Sequence, residues 1–60
     1  MKVLITNNNI DLVQKLAPVK LTFEMSTLNT STFKITEKSF IKLRDNVRTQ
    51  GINPYSLLSW

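Results

Sequence analysis

Two periodicities divide this chain. Residues 19 to 26, VKLTFEMS, alternate: Val19, Leu21, Phe23 and Met25 fall on one side, and Lys20, Thr22, Glu24 and Ser26 on the other. Residues 31 to 36, STFKIT, repeat the pattern with Phe33 and Ile35 on the apolar side. A period of two marks a strand with one buried face, and two such runs in succession predict an antiparallel hairpin over about 19–36. Faces must match across the pair, because a one-residue slip sends an apolar set into water. A loop at Leu28, Asn29 and Thr30 satisfies this, setting Met25 against Phe33, Phe23 against Ile35 and Glu24 against Lys34. A register shifted by two residues satisfies it equally.

From residue 37 the period changes to that of a helix. Phe40, Leu43 and Val47 share one stripe, Thr36 is placed to cap the first turn, and Gly51 is placed to end the helix near residue 50. Asn53 followed by Pro54 is a second start signal, so PYSLLSW reads as a helical tail of two turns at most. At the other end, KVLIT (residues 2 to 6) is β-branched and apolar, and reads as a strand buried on both faces. Three asparagines then make a turn, with Asn9 as the expected N-cap of a short helix. Ile10, Val13, Leu16 and Ala17 form its apolar face with Leu12 at the edge, Asp11 and Lys15 are spaced as a supporting ion pair, and Pro18 stops it. The predicted order is β-α-β-β-α plus a tail. This describes one small α+β domain over 1–60, its helices packed on the apolar face of an antiparallel sheet.

Composition adds constraints. At sixty residues the entropic cost of ordering the chain, ~1.5 kcal/mol per residue, nearly cancels what a core of this size supplies. The sequence has no cysteine and no histidine, so no disulfide, thiolate site or imidazole site reinforces it. Association into a homo-oligomer is one expected route to added stability. Eight Lys and Arg against four Asp and Glu give a net charge of +4, which favours acidic partners. The opening MKVLIT is too short for a signal-peptide core, and no apolar run approaches the length of a membrane span. The expectation is a cytoplasmic protein with no membrane partner. Asn, Thr, Lys and Leu are abundant beside one Ala and one Gly, a coding bias that fits a phage or other mobile element.

Catalytic chemistry is not expected. General acid–base work needs groups of tunable protonation, or a metal. The four carboxylates, Asp11, Glu24, Glu37 and Asp45, stand on different predicted elements or too far apart along one helix to work as a pair. One glycine cannot build a phosphate-cradling loop. No cofactor and no metal are expected. What remains is a surface. Ile41 falls more than a quarter-turn off the stripe of Phe40, Leu43 and Val47, among Glu37, Arg44 and Arg48. An isoleucine between two arginines is either the edge of the core, covered by arginine stems, or an apolar anchor flanked by guanidiniums. The tail raises the same question, because Tyr55 and Trp60 suit interfaces and chain ends fray unless something holds them. The expected function is that of a small non-enzymatic protein that docks on another protein through Ile41, Arg44, Arg48, Tyr55 and Trp60, as an inhibitor or modulator of a host factor.

The alternative is nucleic-acid binding through Lys34, Lys38, Lys42, Arg44 and Arg48. From residue 32 the chain runs strand, helix, Gly51-Ile52-Asn53-Pro54, helix. This order resembles the ribbon-helix-helix repressors, whose dimers place a two-stranded ribbon in the major groove. The resemblance covers about half the chain and implies a DNA-binding regulator in which Thr32, Lys34 and Thr36 face bases.

Overall fold

The strands predicted around one apolar face do assemble into a sheet, and two helices lie on that face. A computed structural model describes residues 1–60. Strand β1 (Lys2–Thr6) leads through a 3-10 turn (Asn7–Asn9) into helix α1 (Ile10–Leu16). Strands β2 (Thr22–Ser26) and β3 (Thr30–Lys34) form the hairpin, followed by α2 (Glu37–Thr49), the single turn α3 (Pro54–Leu57) and a two-residue strand β4 (Leu58–Ser59). The sheet order is β2-β3-β1-β4, every neighbour antiparallel. Since β1 and β2 both oppose β3, they run parallel to each other, and α1 is the crossover of a βαβ unit with β3 inserted between its strands.

The core lies between this sheet and the helices. Val3, Ile5, Phe33, Ile35 and Leu58 meet Val13 of α1 and Phe40, Leu43 and Val47 of α2, and Leu21 joins from the segment before β2. Ile10, Leu16 and Ala17 pack around them as the helical pattern predicts. The opposite sheet face carries Lys2, Leu4, Thr6, Thr22, Met25 and Lys34 and is open to solvent. The expectation that β1 is buried on both faces is therefore corrected. Its burial alternates strictly, with Val3 and Ile5 inside and Leu4 outside, because no element covers the second face.

Helix boundaries follow the local signals closely. Thr36 accepts a hydrogen bond from the Ser39 amide at 3.2 Å, the predicted cap of α2. At its other end Gly51 takes φ +76°, and the Gly51 and Ile52 amides donate to the carbonyls of Arg48 and Val47. Those two bonds are a Schellman closure, which needs a residue tolerant of the left-handed region. Asn53 caps α3 through the Tyr55 amide at 3.1 Å. Asn9 does not cap α1, since the asparagines coil into the 3-10 turn instead. Asn7 is occupied elsewhere: its side-chain Nδ2 donates to the Leu28 carbonyl, and its Oδ1 accepts from the hydroxyl of buried Ser31 at 2.6 Å. Asp11 and Lys15 do not close into an ion pair, because both point into water, where the pairing energy is small.

The hairpin departs from its expected register. Thr22 opposes Lys34 and Phe23 opposes Phe33, the pairing shifted by two; beyond a bulge at Glu24, Met25 opposes Thr32 and Ser26 opposes Ser31. The strand also begins three residues late. The Gln14 side chain donates to the Val19 carbonyl at 3.1 Å and accepts from the Leu21 amide at 3.0 Å, so this backbone is fastened to α1 before it reaches the sheet.

The bulge changes which way β2 looks. Directly opposed residues of an antiparallel pair share a face. Met25, opposite Thr32, therefore stands on the open face rather than beside Phe23. Glu24 stands there too, 3.1 Å from the Lys2 ammonium and 3.9 Å from that of Lys34. The anticipated Glu24–Lys34 pair forms in spite of the altered register, and Lys2 is added to it.

Candidate functional site

Helix α2 presents two flanks on either side of its buried stripe. On one, Asn46 donates to the Leu16 carbonyl at 2.7 Å and satisfies an orphan acceptor at the end of α1. On the other lie Glu37, Ile41, Arg44 and Arg48, and this flank receives the tail. The tail reaches it because Pro54 and the Asn53 cap turn the chain, after which Leu58 pairs opposite Ile5 and is buried to 2% exposure. Ser59, opposite Leu4, continues the ladder. Trp60 then returns over α2.

The result is a continuous train of contacts. The Arg44 guanidinium lies 5.8 Å from the centre of the Phe40 ring. Phe40 meets Trp60 edge-on at 4.7 Å, and Trp60 stacks on Tyr55 at 5.1 Å with 21° between the planes. Three of the five residues expected to bind a partner, Arg44, Tyr55 and Trp60, are thus brought together through Phe40. Ile41 stands one helical turn before Arg44, 45% exposed and outside the core cluster. It is not the covered edge of the core. Arg48 is exposed one turn after Arg44. Tyr55 is 70% exposed, with its stacked face covered and its other face free. A shallow hollow of about 320 Å³ opens beside the stack, lined by Tyr55, Leu58, Ser59 and Trp60.

The charges around this surface are unspent. Both ion pairs in the structure belong to Glu24, on the far side of the sheet. Lys38, Lys42, Arg44 and Arg48 have no carboxylate within ion-pairing distance, and neither Glu37 nor Asp45 turns back to them. The Arg44 Nε is buried with no hydrogen-bond acceptor. A guanidinium binds carboxylate or phosphate through a planar fork, and with Nε buried only the two terminal nitrogens of Arg44 are left to do so.

The five cations of the nucleic-acid alternative are not gathered in this way. Lys34 is on the open sheet face and engaged with Glu24. Lys38 and Lys42 occupy the solvent side of α2, away from the strip of Arg44 and Arg48. The ribbon of the repressor resemblance is also taken up internally. Strand β3 is hydrogen-bonded to β1 on one edge and to β2 on the other, leaving no edge for a second subunit.

Phe40 and β4 were not read from the sequence as parts of this surface. Phe40 reads as core, which it also is. Leu58, Ser59 and Trp60 alternate, but over too few residues to identify a strand. A second hollow, of about 390 Å³, is lined by Met1, Lys2, Lys34, Ile35 and Thr36, and its lysines are already held by Glu24. No cluster of three or more His, Cys, Asp or Glu converges anywhere in the chain. No helix is long and apolar enough to cross a membrane. No protein-family model, curated protein or solved structure matches this chain.

Proposed function

We propose that this chain is a small non-enzymatic binding protein that docks on an acidic surface of another protein through Ile41, Arg44, Arg48, Tyr55 and Trp60. The observation that supports it is the contact train Arg44–Phe40–Trp60–Tyr55 beside exposed Ile41. An apolar anchor, two stacked aromatics and unpaired guanidiniums are the residue types that dominate interface hot spots. Rigid aromatics held by their own fold lose little freedom on binding, so contact area converts efficiently into affinity. Such a protein acts by occupying its partner's surface. The coding bias toward a mobile element makes a host protein the natural target, with inhibition or modulation as the outcome.

The test is affinity capture from host extract with immobilised wild type, Ile41→Asp and Arg44→Ala, followed by titration of the captured protein. Ile41→Asp is expected to weaken that complex by more than about 30-fold, the loss of one hot spot. Unchanged capture by a folded Ile41→Asp variant would sink the reading.

A second reading, nucleic-acid binding, draws on the four unpaired cations of α2. Anisotropy of a labelled mixed-sequence duplex at low and moderate salt separates the two. Binding that falls steeply with salt, with each Lys or Arg to Ala change reducing the slope by about one unit, favours nucleic acid. Absence of binding at low salt leaves the protein reading.

A further inference from the structure

Helix α2 carries charges of both signs that find no partner within the chain. Both ion pairs of the structure belong to Glu24, which leaves Glu37, Lys38, Asp45 and Arg48 unpaired and exposed on one helix. Their spacing is informative. Glu37, Ile41, Arg44 and Arg48 follow one another at intervals of four, three and four residues. That is the spacing of a heptad seam, the positions through which one helix packs along another. The seam is separate from the stripe of Phe40, Leu43 and Val47 that α2 gives to its own core, and Ile41 at its centre is 45% exposed.

Reversed, the strip is its own complement. A two-fold axis between Lys42 and Leu43 sets Glu37 of one copy opposite Arg48 of the other, and Ile41 opposite Arg44, each contact occurring twice. Acid meets base at both ends. At the centre each isoleucine packs on the methylenes of an arginine whose guanidinium is drawn aside, 5.8 Å from the Phe40 ring. Parallel packing would set Glu37 against Glu37 and Arg48 against Arg48, so charge selects the antiparallel arrangement. On the solvent-side rim the signs match as well. The same axis brings Asp45 of one copy within two residues of direct opposition to Lys38 of the other, about 3 Å along the helix.

We propose that two copies of this chain pair through α2, antiparallel along this strip, and that the pairing regulates the docking surface by masking it. The masking follows only if the strip docks on another protein, whereas the pairing stands without that reading and its test contains no other protein. Contact along one helix of thirteen residues is limited, so the dimer is weak and reversible, and dilution frees the strip.

Sedimentation equilibrium of the full chain at low ionic strength, over a wide concentration range, tests this, with circular dichroism as the control for folding. Wild type is expected to show a reversible monomer–dimer equilibrium. Glu37→Arg and Arg48→Glu should each weaken it by at least about tenfold, because the two-fold turns one reversal into two like-charged contacts. Mixed in equal amounts, the two variants should pair with each other, and a chain carrying both reversals should regain the dimer. Phe23→Asp, at the far edge of the sheet, should leave the equilibrium unchanged. A wild type that stays monomeric throughout overturns the proposal. So does a dimer indifferent to the single reversals, and so do folded single variants that recover neither on mixing nor in combination.

Discussion

The two edges of the sheet are opposite solutions to one problem. At the β1 edge the last three residues close the structure: Leu58 fills the core, Ser59 extends the ladder and Trp60 folds back onto Phe40. At the β2 edge a longer strand, alternating in sequence but broken by the bulge at Glu24, leaves Phe23 and Met25 in solvent on opposite faces. Strand alternation says which side chains share a face, but burial depends on whether a helix extends over that face. The helices lie across β1 and β3, where their side chains meet Val3, Ile5 and Phe33, and Phe23 stands outside that cluster, in edge-on contact with Phe33 at 5.7 Å. The tail is short but wedged between the sheet and α2, and is buried for that reason.

Stability measurements should separate the two edges. The largest expected effect is that of Leu58→Ala, which truncates a side chain buried in the core at 2% exposure and should cost about 2–5 kcal/mol in urea unfolding. Trp60→Ala comes next. It forfeits two aromatic contacts, each about 0.5–1.5 kcal/mol, but opens no cavity. Because Trp60 is the only tryptophan, its fluorescence also reports on tail docking. With β4 part of the cooperative unit, fluorescence and circular dichroism should give the same midpoint; an earlier fluorescence transition would mean that the tail detaches first and that this edge is only latched. Phe23→Ala should cost only about 1 kcal/mol at dilute concentration, in keeping with partial burial. A loss equal to that of Leu58→Ala would erase the contrast between the edges.

The same contrast explains what was legible in the sequence. Helix α2 and its ends were readable because their determinants are local: a 3.6-residue stripe, Thr36 at the cap and Gly51 at a positive φ. The exposed strip of Ile41, Arg44 and Arg48 follows from the same wheel. Its junction with Tyr55 and Trp60 does not, because that depends on Leu58 pairing with Ile5, more than fifty residues away. The hairpin was readable in kind but not in register. Facing rules allow shifts of two, and the choice is made by contacts outside the hairpin: Gln14 holding Val19 and Leu21, Asn7 holding the turn, and Lys2 drawing Glu24 to the open face.

Glu24 gives the smallest and most discriminating prediction. Lys2 and Lys34 are directly opposed across β1 and β3, so without the carboxylate two like charges face each other. The lysine side chains are 61% exposed and Glu24 is about a quarter exposed, so solvent weakens every term. Glu24→Gln should therefore cost less than about 1 kcal/mol at low ionic strength. The loss should shrink toward zero as salt screens the lysines, and Lys2→Gln in the Glu24→Gln background should recover part of it. Leu58 carries no charge and fills an apolar site, so the cost of Leu58→Ala should be nearly the same at both salt concentrations. A Glu24→Gln loss that salt leaves unchanged would mean that Glu24 fixes the bulge by packing. The β2 edge would then be set by shape, as the β4 edge is, and not by the charge that separates them.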